Sequence, residues 1–226
     1  MSLIKEVMMR PWGVEKRVRP TTWNPWVRTV AWYPFNTDYA DVTWNSPTGT
    51  QNSTLIGSYQ WVNCLNLNSS FVTISWIDNL GNATAYTMSV WIYTTGTFVI
   101  EYYQNWSWWG SWFLSHTSQQ WYLRWWNPDD IESNINAISG GRHHVVQTWV
   151  VWWPWMWYID KVGTTKKATL TAWPYNNSTT LYLGKDAIWN QYSGWFISNL
   201  IIERRARTDM DVTNYYNQTK SIYWIS

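Results

Sequence analysis

Between residues 140 and 202 the chain runs through short apolar-alternating segments joined by turn chemistry, and that pattern commits it to β structure. Residues 144–149 (HVVQTW) are dominated by β-branched and aromatic side chains, as a strand buried on at least one face requires. Residues 157–160 (WYID) predict a second strand, and Asp160-Lys161 supplies the turn into Val162-Gly163 and Thr164-Thr165. Lys161 is an awkward choice there, because a tight two-residue hairpin turn wants φ > 0. Two more strands follow, one ending in Leu181-Tyr182-Leu183-Gly184 and one over residues 195–202 (WFISNLII). Thr208 then caps a short helix whose first turn carries Asp209 and Asp211 and which runs toward Tyr215 and Tyr216.

The front half has the same texture. Residues 30–36 (VAWYPFN) predict an opening strand, followed by a polar stretch over residues 37–54. Residues 64–68 (CLNLN) and 71–74 (FVTI) predict a hairpin, and residues 86–93 (YTMSVWIY) a cleanly alternating strand.

Taken in order over about residues 29 to 218, these motifs resemble the laminin-G-like jelly roll of the concanavalin A-like lectin and glucanase superfamily. The resemblance implies an all-β, antiparallel jelly-roll sandwich with Trp91, Val146, Ile159, Leu183 and Ile197 among its buried positions. It also implies a hydrogen-bonded structural role for His143 and His144, since the family commonly carries His-His at this strand start. Two departures stand out. Lys161 occupies a turn position where relatives carry Gly, and residues 203–207 (ERRAR) replace an aromatic-Asn-Arg-Ala-Leu segment. This sandwich serves lectins, glycanases, adhesion modules and virion parts alike, so the function has to be argued from the site.

A chain of 226 residues suits one sandwich. Residues 1–28 are expected to form an extended basic arm and residues 29–226 the jelly-roll domain. The arm holds six basic residues against two acidic ones, and the remainder is slightly acidic. Arg10, Lys16, Arg17, Arg19 and Arg28 are the expected docking residues, with another structural subunit as partner in a homo- or hetero-oligomeric assembly. Nucleic acid is not expected, because only one short segment is basic. No apolar run approaches the ~20 residues of a membrane span, and no secretory signal peptide is expected. The lone Cys64 reads as a core residue.

Tryptophan usage is anomalous: twenty-four Trp against eleven Gly. Residues 105–112 (NWSWWGSW) fall where a hairpin loop belongs, and residues 151–157 (VWWPWMW) where relatives carry a polar turn. Three readings stay open. Trp108, Trp109, Trp152, Trp153 and Trp155 form a platform that stacks on sugar rings, or they anchor the loops on neighbouring subunits. Alternatively, they are turn glycines translated as Trp from a source that reads UGA as Gly.

Catalytic patterns are missing. Glycanases on this fold place two carboxylates in a Glu-x-Asp-x-x-Glu strand, which this sequence lacks. Asp129, Asp130 and Glu132 follow Asn127-Pro128 in a predicted loop, and Glu101, Asp160 and Glu203 are expected at strand margins. Zinc spacing and a phosphate-binding Gly-rich loop are both absent. The one cofactor the resemblance allows is calcium, with Asp38, Asp41 and Asn45 as candidate ligands and Asp186 as a further donor. Asp and Asn are equally what turns select, so no metal site is expected. By elimination the chain is expected to be a non-catalytic virion component (capsid decoration, tail or baseplate), assembled in the host cytoplasm and docking through its arm. The alternative is a lectin-like module for cell-surface glycans.

Overall fold

The alternating residues at the centre of the chain become its central strands. The computed structural model describes residues 29–43, 45, 48–52, 54–59, 62–67, 70–77, 84–94, 98–104, 112–117, 120–124, 133–135, 141–150, 154–169, 179–184 and 195–223. Along these run β1 (Thr29–Tyr33), β2 (Thr50–Asn52), β3 (Leu55–Tyr59), β4 (Val62–Asn66), β5 (Phe71–Ile77), β6 (Ala85–Thr94), β7 (Phe98–Gln104) and β8 (Trp112–Thr117). They continue as β9 (Gln120–Arg124), β10 (Ser133–Ile135), β11 (Gly141–Val150), β12 (Pro154–Ile159), β13 (Val162–Thr169), β14 (Thr179–Leu183) and β15 (Trp195–Glu203), followed by α1 (Asp209–Thr219).

The described strands form two antiparallel sheets. The first runs β13-β12-β11-β6-β15-β4-β3, with β1 also paired to β15, and the second runs β10-β9-β8-β7-β14-β5-β2. One apolar core joins them. Val90, Ile92, Val145, Trp149, Trp157, Ile197 and Ile202 of the first sheet meet Val72, Ile74, Leu181 and Leu183 of the second. Each fully buried aliphatic side chain contributes roughly 1.5–3 kcal/mol, so this shared layer dominates the stability. This is the all-β sandwich expected from the sequence. Trp91, Val146, Leu183 and Ile197 are buried, and Ile159 packs half-buried against the core.

The predicted hairpin of residues 64–68 with 71–74 is not one. β4 pairs with β3 and β15 in the first sheet, whereas β5 pairs with β14 and β2 in the second. The connection is an arch between layers, and both Leu67 and Val72 end in the core it spans. Ser70 N–H donates to Leu67 O and Ser70 Oγ to Asn66 O, which tightens the arch. Gly184 closes against it at φ +93°, and a Cβ there would lie 2.8 Å from Ser70 O. The polar stretch of residues 37–54 also contains an unforeseen strand, β2, whose three residues are all exposed.

The Asp160-Lys161 turn forms despite the lysine. Both residues have positive φ, 48° and 71°, the primed geometry that matches strand twist. Asp160 is held by three bonds. Its carboxylate accepts from His143 Nδ1 at 2.6 Å and from His144 N–H at 2.9 Å, and its own N–H donates to His144 O. The Lys161 ammonium lies 5.7 Å from the Tyr216 ring centroid. The expected helix is present as well: Thr208 and Asp211 form a reciprocal capping box.

Candidate functional site

A sandwich has two outer faces, and here α1 closes much of one. Odd-numbered residues of β6 point away from the core, so Trp91 meets Tyr223, His144 and Tyr216 at centroid distances of 4.3, 4.9 and 5.8 Å. Val146 and Tyr158 pack on Val212 of α1 in the same layer. His144 is fully buried with Nε2 2.8 Å from Ser89 Oγ. Burial, followed by the nearby Arg207 charge, holds its pKa well below the usual histidine range. The structural role expected of the His pair is what the geometry shows.

A second anchor sits where β15 changes partners. Asn199, at φ 56°, breaks the register between Ser198 and Ile201. Before it β15 pairs with β4, and after it with β1. Its N–H donates to Pro34 O, its Oδ1 accepts from Trp32 Nε1, and its Nδ2 donates to Tyr215 Oη.

The described carboxylates are spent on structure. Glu203 is buried against Arg207 and Arg205, Asp209 accepts from the Tyr158 hydroxyl at 2.5 Å, and Asp160 holds its turn. Glu101 stands in the middle of β7, opposite Tyr182 and Phe113, rather than at a strand margin. Interior positions of a paired strand tolerate a polar residue when one face of the sheet is wet. Of the calcium candidates, Asp41 and Asn45 come together, but the Asp41 carboxylate already accepts from Trp32 N, Thr43 N, Thr43 Oγ1 and Asn45 N. Asn45 Nδ2 donates to Thr29 O, and Asp38 only caps the N–H of Ala40. Among the described residues no group of three or more His, Cys, Asp or Glu is placed to hold a metal.

Where α1 and the C-terminal turn leave the first sheet open, a cleft of about 260 Å³, including its mouth, is lined by Tyr59, Val62, Cys64, Tyr93, Arg142 and Phe196, with Tyr223 on its flank. The positions are dictated by register. Arg142 pairs with Tyr93, Tyr93 with Phe196, and Tyr59 with Val62, so the outward residues of β11, β6, β15, β4 and β3 fall side by side. Tyr59 spans the other rings, 4.4 Å from Tyr93 and 4.3 Å from Phe196. The Arg142 guanidinium donates to Tyr223 O at 3.0 Å and Tyr59 O at 2.7 Å, and its Cζ lies 5.8 Å from the Tyr59 ring. Burial pulls the Arg142 pKa down and pushes the Cys64 thiol up to about 11. The Tyr59 hydroxyl is raised first by its hydrogen bond with Tyr93 and then by burial.

Of these cleft residues only Cys64 was singled out from sequence, and as a core residue rather than as part of a site. The available signal was phase: Tyr93 and Phe196 sit one step out of register with the core residues Ile92 and Ile197. The tryptophans that were singled out, Trp108, Trp109, Trp152 and Trp153, lie outside the described residues, as do Arg10, Lys16, Arg17, Arg19, Arg28, Asp129, Asp130, Glu132 and Asp186. Trp155 belongs to β12 rather than to a loop, and its side chain is outside the description. Trp149 and Trp157 fill the core, Trp91 is buried beneath α1, and none of the described tryptophans has positive φ.

No protein-family model and no curated protein sequence matches the chain. Solved structures do. Domain 4 of AbnA, a GH43 extracellular arabinanase from Geobacillus stearothermophilus, in complex with arabinotriose, aligns with a TM-score of 0.60 at 17% identity, covering 83% of this chain and 97% of that one. The binding domain of botulinum neurotoxin serotype D/C aligns at 0.65 and 13% identity, covering 86% of this chain and 53% of that one. The binding domain of Paraclostridial Mosquitocidal Protein 1 aligns at 0.64 and 15% identity, with the same two coverages. The chain thus spans about half the length of the toxin binding domains. At these identities the likeness establishes the fold: an antiparallel β-sandwich of the jelly-roll kind. No helix among the described residues is long and apolar enough to cross a membrane.

Proposed function

We propose that the chain is a non-catalytic glycan-binding module, and that the cleft beside Arg142 is its binding site. The observation that carries this reading is the half-exposed set of Tyr59, Tyr93 and Phe196 rings with hydroxyl and guanidinium donors at their edge. Flat apolar faces next to a few directional donors are what a sugar ring, apolar on its C–H face and polar at its rim, requires. The arabinotriose complex of one structural neighbour and the ganglioside-dependent cell entry attributed to a botulinum neurotoxin support a binding role for this sandwich. A role in a virion, with residues 1–28 docking on a neighbouring subunit, rests on the composition of that arm and is compatible with glycan binding by the sandwich.

The test is a glycan array followed by calorimetric titration of the ligands retained. Saturable binding that falls tenfold or more in Tyr59→Ala and in Phe196→Ala, about 1.4 kcal/mol or more, supports the reading. Retention of no glycan, or unchanged affinity in both variants, would overturn it. Release of reducing ends from a polysaccharide panel, abolished by a carboxylate substitution, would overturn the non-catalytic part.

A further inference from the structure

Among the described residues, the cleft lining includes a cation, Arg142, and no acidic side chain. Tyr59, Tyr93, Ser198 and Tyr223 line the cleft too, with Tyr59 hydrogen-bonded to Tyr93 and Tyr223 to Ser198 and Asn199. The guanidinium is fixed from two sides, by the carbonyl of Tyr59 at the end of edge strand β3 and by that of Tyr223 after α1. A guanidinium oriented in this way is a planar donor array, which suits a planar carboxylate better than a lysine would.

Building on the glycan-binding reading, we propose that the ligand is an acidic sugar, a uronic or sialic acid residue whose carboxylate meets Arg142 while its ring packs on Tyr59, Tyr93 and Phe196. The charge of the described lining selects the class: a neutral sugar gains ring packing and ordinary hydrogen bonds, whereas a carboxylate adds a charge-assisted hydrogen bond in a partly desolvated setting.

Two ligand pairs test this on the unmodified protein: trigalacturonate against its methyl ester, and sialyllactose against lactose. At least one acid should bind tenfold or more tighter than its neutral partner, with the margin shrinking as salt rises. Arg142→Gln should bring acid and neutral partner level, and Arg142→Lys should keep part of the preference. Should Arg142→Gln fail to fold, the ester and lactose comparisons decide alone. Equal binding within both pairs, or no binding of either acid, overturns the proposal. If neutral oligosaccharides still bind and Tyr59→Ala abolishes that binding, the glycan-binding reading survives while the acidic preference falls. If no glycan of any class binds, both fall.

Discussion

Arg207 Nε lies 2.5 Å from Glu203 Oε2, and both side chains are about 1% exposed. Glu203 lies opposite Thr87 of β6, and the Arg207 Cζ lies 4.7 Å from the Tyr215 ring of α1, so the ion pair is enclosed between the first sheet and α1. The pair is embedded: Arg205 Nε reaches Glu203 Oε1 at 3.3 Å and its Nη1 reaches Asp211 at 3.5 Å. Thr87 Oγ1 accepts from Arg207 N and donates to Arg205 O.

Breaking this pair from one side should be costly. Glu203→Ala strands a buried guanidinium, and a loss of about 3–5 kcal/mol is expected. The double variant Glu203→Phe, Arg207→Leu replaces the ion pair by an apolar contact and should recover most of that loss. Urea unfolding of the three proteins decides it. A double variant no more stable than Glu203→Ala would show that the pair is not exchangeable for packing.

His144 makes stability fall with acid. Burial, followed by the Arg207 charge, holds its folded pKa well below the usual histidine range, so the unfolded chain binds a proton that the folded chain refuses. The stabilisation is complete above the unfolded pKa and is lost as pH falls below it, by up to about 1.4 kcal/mol per pH unit. Unfolding free energies at pH 7.5 and 5.5 should therefore differ in favour of pH 7.5, and His144→Gln should flatten that part of the difference. An unchanged slope in the variant would assign the acid sensitivity elsewhere.

How much of this was legible in the sequence depended on whether a residue's role is local. The two-fold alternation of residues 86–93, the Thr208 cap and the Asp160-Lys161 turn are local events, and each appears as read. The partners of β4 and β5 are not local. Both strands are short with one apolar face, and only the arch at Ser70 shows that they belong to different sheets. The cleft was invisible for the same reason. Tyr59, Tyr93, Arg142 and Phe196 are spread over 138 residues and meet only through the register of neighbouring strands. Glu203 and Arg207 stood out as charged residues at the end of an apolar strand, but their pairing needed the fold.

Cys64 should be chemically quiet while the protein is folded. The side chain is buried, its Sγ lies 3.6 Å from Gly57 O, and burial raises the thiol pKa to about 11. Thiolate is the reactive form, so iodoacetamide at pH 8 should label the native protein at least tenfold more slowly than the urea-unfolded one. Equal rates would mean that the β3–β4 edge opens readily.

The last expectation concerns the turn. Lys161 holds φ 71°, a region that costs a non-glycine residue about 1–2 kcal/mol. Against this stands the ammonium over Tyr216, at 5.7 Å an exposed cation–π contact of about 0.5–1 kcal/mol. Lys161→Gly removes both, and the backbone relief exceeds the lost contact, so stability should rise by up to about 1 kcal/mol. For a chain of this size that raises Tm by about 2–4 °C. Asp160→Gly at the neighbouring position should do the opposite, because that carboxylate holds His143 Nδ1 and the His144 N–H, and losing two such bonds outweighs any relief at φ 48°. Thermal melts of both variants test the pair together. A destabilised Lys161→Gly would mean that the contact with α1, rather than the turn geometry, is what Lys161 is there to make.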